Sequence, residues 1–82
     1  MKKEIEEITE ELESIASDTS IPRNIRSATK EVKNLLLRDK VSLDIKVASA
    51  LTTLGDLTND PNIPLHGRTW IWGIMSELEK VA

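Results

Sequence analysis

Few side chains in this sequence could perform acid–base catalysis. His66 is the single histidine of the 82-residue chain, which contains no cysteine. A neutral imidazole could act as a base here together with Asp60 or Arg68, which are close to it in the sequence. No serine, cysteine or second histidine offers a matching constellation, and one isolated titratable residue seldom makes a site. We therefore expect a hydrogen-bonded structural histidine near the turn at 60–68, and a protein that is not an enzyme.

The glutamates near the start of the chain are the candidate metal-binding or acid–base carboxylates. They are Glu6, Glu7, Glu10, Glu11 and Glu13. Di-metal helical bundles hold their ions with inward carboxylates and a Glu-x-x-His partner, whereas these acids lie off the apolar stripe and His66 has no such glutamate. A chain without cysteine also has no cysteine-ligated zinc site and no disulfide. We expect a solvated acidic surface with no metal and no cofactor.

Charge is distributed unevenly along the sequence. Residues 1–20 hold two basic and seven acidic side chains. Residues 21–46 hold seven basic and three acidic side chains, and residues 47–82 hold two basic and four acidic ones. Four basic residues fall within about 80° of one another on a helical wheel, opposite the core stripe: Arg23, Arg26, Lys30 and Lys33. This basic strip is either a surface that contacts RNA phosphates or a solvated face paired with the acidic helix. The net charge of -3 and the lack of an interleaved aromatic residue favour the second interpretation.

Two uncharged helix flanks are candidates for a protein contact. One consists of Ile45, Ala48, Thr52 and Gly55, and the other of Leu65 and Trp72. Small residues permit close helix approach, and tryptophan is a common interface anchor. Both flanks could instead pack inside the protein, because interface and core use the same residue types. Our prediction is that these residues mediate self-association or bind a protein partner.

Apolar residues recur at steps of three and four in four segments, which predicts four amphipathic helices. The first covers residues 1–17 and the second runs from about Ser20 to about Leu37. The third follows Ser42, whose hydroxyl we expect to cap it, and the fourth follows the breaker at 58–62. No segment alternates with a period of two, so the pattern predicts an all-α protein.

A pattern, D-x-x-I-P-x-x-x-R, occurs at residues 18–26 and again 42 residues later at 60–68, and the apolar positions follow the same offset. Its defining residues are Asp18, Pro22, Arg26, Asp60, Pro64 and Arg68. We interpret it as a structural turn. A capping Ser20 or Asn62 would precede a proline in the first helical turn, and the aspartate would face the arginine.

The repeat predicts two similar helical hairpins, at 1–40 and 41–82, within a single domain. Their turns resemble those of HEAT repeats, whose stacked hairpins form solenoids. Two repeats are too few for a solenoid. We therefore predict an up-down-up-down four-helix bundle in which each hairpin buries the other's apolar stripe, with a short HEAT-like stack as the alternative.

Residues 59–72 resemble the signature of the small archaeal uncharacterised protein family 0147, through the string D-P-N-I-P, His66, Arg68-Thr69 and Ile71-Trp72. The turn at 21–26 is similar to that family's first turn, and the resemblance extends over essentially the whole chain. It implies a compact archaeal four-helix bundle with no assigned activity. Gly67, where the family usually has alanine, and Trp70, where it has an aliphatic residue, depart from the pattern.

Together these observations predict a cytoplasmic, non-enzymatic protein–protein interaction module that forms a homodimer. The alternative is an RNA-associated protein that uses the basic strip. The first residues lack the apolar segment of a signal peptide, and no stretch approaches the roughly 20 apolar residues of a membrane span. We therefore expect no membrane association.

Overall fold

A computed structural model describes residues 2–81 of the protein. They form four α-helices: α1 (Lys2–Ala16), α2 (Arg23–Leu36), α3 (Leu43–Thr58) and α4 (Leu65–Val81). Within these residues there is no β-strand, which confirms the predicted all-α class. The predicted limits of the domain include Met1 and Ala82, which lie outside the described residues.

Each helix buries one stripe, as its apolar periodicity predicts. The stripes meet in a single core made almost entirely of aliphatic side chains. Its buried members are Ile8, Leu12, Ile15, Ile21, Ile25, Val32, Leu36, Val47, Ala50, Leu54, Ile63, Ile71, Ile74 and Leu78. Both hairpins contribute to it at matching positions of the repeat, so neither hairpin has a core of its own.

The helices pack in a closed ring. Each packs against two others, in the pairs α1–α2, α2–α3, α3–α4 and α1–α4, while the diagonal pairs make no contact among the described residues. A two-repeat stack would instead place α1 on α3 and α2 on α4. Connections of six residues join successive antiparallel helices, at 17–22, 37–42 and 59–64. The four-helix bundle is therefore confirmed, and the HEAT-like stack is not the arrangement adopted.

The predicted helix starts were less accurate than the helices themselves. The helix predicted to start near Ser20 begins at Arg23, with Pro22 at the N-cap. Ser20 does not cap it, because both its amide and its hydroxyl are bonded to Asp18. Ser42 does occupy the N-cap of α3, but its hydroxyl makes no capping hydrogen bond.

No helix within residues 2–81 has both the length and the apolar character needed to cross a bilayer.

Candidate functional site

The two turns of the repeated motif lie together at one end of the bundle. Ile21 and Ile63, the motif isoleucines, are 1% and 6% exposed. Both face Gly67 in the first turn of α4, where an added Cβ would lie 3.5 Å from Ile63 Cγ1 and 3.6 Å from Ile21 Cδ1. These are ordinary van der Waals distances, so an alanine also fits at this position.

Each turn is held by a residue from the opposite hairpin. Asn24 Nδ2 donates to Asp60 Oδ2 over 2.9 Å. His66, which occupies the position of Asn24 in the repeat, has its Nε2 3.1 Å from Ser20 Oγ and 3.8 Å from Asp18 Oδ2. The histidine is hydrogen-bonded as predicted, and its contacts are with residues 18–20 of the other turn, which the sequence analysis did not specify.

The structure also corrects the expectation that no serine accompanies His66. Ser20 Oγ is 3.1 Å from the imidazole, but the protons are arranged differently from those of a nucleophile and its base. Ser20 Oγ donates its hydrogen to Asp18 Oδ1 over 2.7 Å, which leaves the hydroxyl oxygen to accept from His66 in the tautomer that carries a hydrogen on Nε2. The hydrogen bonds from Ser20, with the nearby His66, lower the pKa of Asp18. The cluster is a hydrogen-bonded clamp between the hairpins.

The motif arginines form no ion pair with the motif aspartates among the described residues, although the pKa of Asp18, lowered by Ser20 and His66, is lowered further by the charge of Arg26. Arg26 Nε donates to the carbonyl of Ile21 over 3.0 Å, across the start of its own helix. Its counterpart Arg68 has a buried Nε with no acceptor among the described residues. The repeat is therefore closely matched in its backbone turns and differs at this side chain.

The acidic surface of α1 is exposed at Glu6, Glu7, Glu10 and Glu13, as predicted. Glu11 differs, because it is half-buried beside α4. Burial, together with repulsion from Glu77, raises the pKa of Glu11, while a hydrogen bond from Trp70 acts in the opposite direction. Within residues 2–81 no three acidic or histidine side chains lie close enough to hold a metal ion.

We expect Glu11→Gln to raise the free energy of unfolding at pH 7 by less than about 1 kcal/mol. The pKa of Glu11 is higher in the folded protein than in the unfolded chain, so its ionisation opposes folding. The stability of the wild type relative to the variant is highest below the unfolded pKa and falls as the pH rises through the folded pKa. Urea unfolding at pH 7 and at about pH 4 measures this difference, with the exposed Glu10→Gln as control. An equal gain at both pH values would contradict the assignment.

Two residues of the basic strip are exposed, as the helical wheel predicted, and the other two are partly buried. Lys33 is 3.5 Å from Glu13 of α1, and Arg26 is engaged with a backbone carbonyl. Arg23 and Lys30 are exposed. Two of the four predicted contacts with nucleic acid are thus bonded within the protein.

The uncharged flanks lie on the surface, which settles the question of core or exterior that the sequence left open. Ile45 is 59% exposed, Leu65 72% and Trp72 50%, and Ala48 and Thr52 are also exposed. Gly55 is half-buried against Met75 Cε, which would lie 3.7 Å from a Cβ at that glycine. Helical spacing from this contact places both flanks on the same outer side of the α3–α4 hairpin. We call Ile45, Ala48, Thr52, Gly55, Leu65 and Trp72 the α3–α4 outer face.

The repeat provides a direct comparison for this face, because subtracting 42 from each residue number gives its counterpart on the α1–α2 hairpin. All six counterparts are charged: Lys3, Glu6, Glu10, Glu13, Arg23 and Lys30. The contact between the two helices of each hairpin also changes from charged to uncharged. The Lys33–Glu13 ion pair joins α2 to α1, and Met75 packs at Gly55 where α4 meets α3. One hairpin thus carries charges on its outer side, and the other lacks them at the same positions.

A second partly apolar feature, which the sequence analysis missed, lies at the other end of the bundle. It is a groove of about 510 Å³ between the start of α1, the end of α2 and the start of α3. Ile5, Leu36, Leu37 and Leu43 line it together with charged residues, and Leu37 is 53% exposed.

Comparisons with known proteins agree with the fold. The model of the Uncharacterised protein family (UPF0147) matches residues 1–81. UPF0147 proteins from Methanosarcina mazei and Archaeoglobus fulgidus are 47% and 44% identical to the chain, over 85% and 99% of it and 75% and 92% of their own lengths. The crystal structure of a UPF0147 protein from Thermoplasma acidophilum superposes with a TM-score of 0.95 at 33% identity, covering 99% of this chain and 95% of that one. The chain therefore belongs to UPF0147, the family of unknown function that residues 59–72 resemble.

Proposed function

We propose that this protein is a non-enzymatic interaction module of the cytoplasm that binds protein through its α3–α4 outer face. The observation that carries the proposal is the difference between equivalent positions of the repeat. Six surface positions that hold charged side chains on the α1–α2 hairpin hold uncharged ones on the α3–α4 hairpin, including Trp72 and Leu65. The same bundle contains both versions.

Folding alone does not explain the uncharged version. The α1–α2 hairpin shows that the backbone accommodates charge at these positions, and charged residues keep the surface of a small protein soluble. Exposed Ile45, Leu65 and Trp72 carry a solvation cost that a bound protein removes. Tryptophan is also among the residues that contribute most binding energy at protein interfaces.

Catalysis is not supported by the clamp at the motif turns. The Ser20 hydroxyl donates to Asp18, so His66 does not activate it for attack on a substrate. RNA binding is less well supported, because the glutamates beside the basic strip would repel phosphate and Lys33 already pairs with Glu13.

The test is capture of partners from native archaeal extract with tagged wild type and with Trp72→Lys, with and without nuclease. Lysine is the residue that the first hairpin has at this position, so the change converts one outer face toward the other. The matched control is Lys30→Ala on the α1–α2 hairpin. We expect a protein captured by wild type and by the Lys30 variant to be lost with Trp72→Lys, whatever the nuclease treatment.

Two results would contradict this function. Capture that survives Trp72→Lys but fails with Lys30→Ala, and that disappears with nuclease, would favour RNA binding through the basic strip. Capture that neither variant changes would remove both outer faces from consideration. Thermal unfolding of each variant shows whether a lost partner reflects lost folding, which we do not expect for residues this exposed.

A further inference from the structure

We propose that the partner on the α3–α4 outer face is a second copy of this chain, with its α4 antiparallel to the first. This inference rests on the proposed function and names the occupant of the same face. It follows from the arrangement of charge around that face.

The centre of the face can meet itself. A twofold symmetric dimer brings the same patch of both copies together, so any charge near its centre would face a like charge. No charged residue occurs from Val47 to Gly55. Met75 of α4 packs at Gly55, and Trp72 lies about one helical turn before Met75. The small side chains of Ala48, Thr52 and Gly55 allow close approach, and the exposed half of Trp72 supplies an anchor.

On α4, opposite charges lie at the two ends of the face, and on α3 the exposed Asp56, one turn after Thr52, adds an acidic side chain at the Arg68 end. Arg68 is seven residues before Met75, and Glu79 is four residues after it. At these helical spacings all three residues lie on the same side of α4. Arg68 lies at the end formed by the 59–64 connection. Glu79 lies at the other end, beside the start of α3 and its exposed Asp44.

Only an antiparallel dimer brings the Arg68 charge of each copy to the acidic end of the other. A twofold axis across the middle of α4, near Trp72, places the Arg68 end of each copy beside the Glu79 and Asp44 end of the other. A parallel dimer would place like ends together. Arg68 has no ion pair among the described residues, and its buried Nε lacks an acceptor there, whereas its counterpart Arg26 donates to Ile21. The Nε of Arg68 is buried, so a contact with the other copy has to be made by the terminal Nη groups of its guanidinium.

Sedimentation equilibrium on the full-length protein tests the dimer. We expect wild type to dimerise, Trp72→Lys to raise the dissociation constant at least about 30-fold, and Lys30→Ala to leave it unchanged. Glu79→Lys and Arg68→Glu should each weaken the dimer about 5-fold or more, and the double variant should recover most of that loss. Circular dichroism confirms that each variant is folded.

A cross-linking experiment tests the orientation without altering Arg68. The chain contains no cysteine, so Leu65→Cys and Glu79→Cys each introduce one thiol, at an exposed position. We expect a short bis-maleimide to join the two variants to each other when they are mixed, and to join neither to itself efficiently. Leu65→Cys cross-linked to itself in preference would overturn the antiparallel arrangement.

The outcomes separate this inference from the proposed function. A wild-type protein that stays monomeric up to about 1 mM would contradict the proposal that the partner is a second copy of the chain. Capture of another protein that depends on Trp72 would still support the face as a binding site. A wild-type dimer that Trp72→Lys leaves intact overturns the second copy at this face, and the capture experiment then decides whether another protein binds there.

Discussion

Replacing Leu12 or Leu54 with alanine is expected to lower the free energy of unfolding by about 2–5 kcal/mol. These leucines occupy equivalent positions of the repeat, and both are completely buried. Each change removes apolar contacts and leaves a cavity that a core shared by four helices can only partly close. For a domain of this size the loss is a large share of a total stability of roughly 4–12 kcal/mol. Urea unfolding followed by circular dichroism measures it.

Leu65→Ala is the matched control for these core changes. Leu65 is 72% exposed, so its truncation should change stability by less than about 0.5 kcal/mol. All three variants are best made in the Trp72→Lys background, because association through the α3–α4 outer face would otherwise make stability depend on protein concentration. Similar losses at positions 12 and 65 would contradict the assignment of core and surface.

The sequence was sufficient to predict the helices and their bundle, because the core is formed by apolar residues that recur with the helical period. Leu12, Leu54 and their neighbours lie where the helical period predicts. The start of α2 was misplaced because Ser20 had two possible partners. It could cap the helix or bond to Asp18, and the local turn at Asp18 captured both of its polar groups.

The contacts between the two turns could not be read from either turn alone. His66 reaches Ser20 across 46 residues of sequence, and only the packing of α1 on α4 brings them together. The repeat nevertheless contained a signal, since His66 aligns with Asn24 and both side chains hold the opposite turn. The α3–α4 outer face likewise could not be assigned from the sequence alone. Composition marked Trp72 as an interface candidate, and the structure adds that half of its surface is exposed. The repeat adds that a lysine, Lys30, occupies the equivalent position of the other hairpin.

Separating the hairpins should remove nearly all of the helical structure. Dividing the chain into peptides 1–40 and 41–82 places the break in the exposed connection between α2 and α3, where it removes few contacts. Each peptide alone would expose the stripe that the other hairpin covers, and helices of 14 to 17 residues are marginal in water without such packing. Far-UV circular dichroism should show little helix in either peptide and recovery of the bundle signal on mixing.

Recovery depends on the core between the hairpins, so a Leu54→Ala version of the second peptide should bind the first more weakly, by the same cost of about 2–5 kcal/mol. Leu65→Ala in that peptide should bind as well as the unmodified sequence, because Leu65 lies outside the core. A cooperative thermal transition in either peptide as a monomer would show that one hairpin suffices for folding. In that case the conclusion that folding requires the inner sides of both hairpins would be wrong.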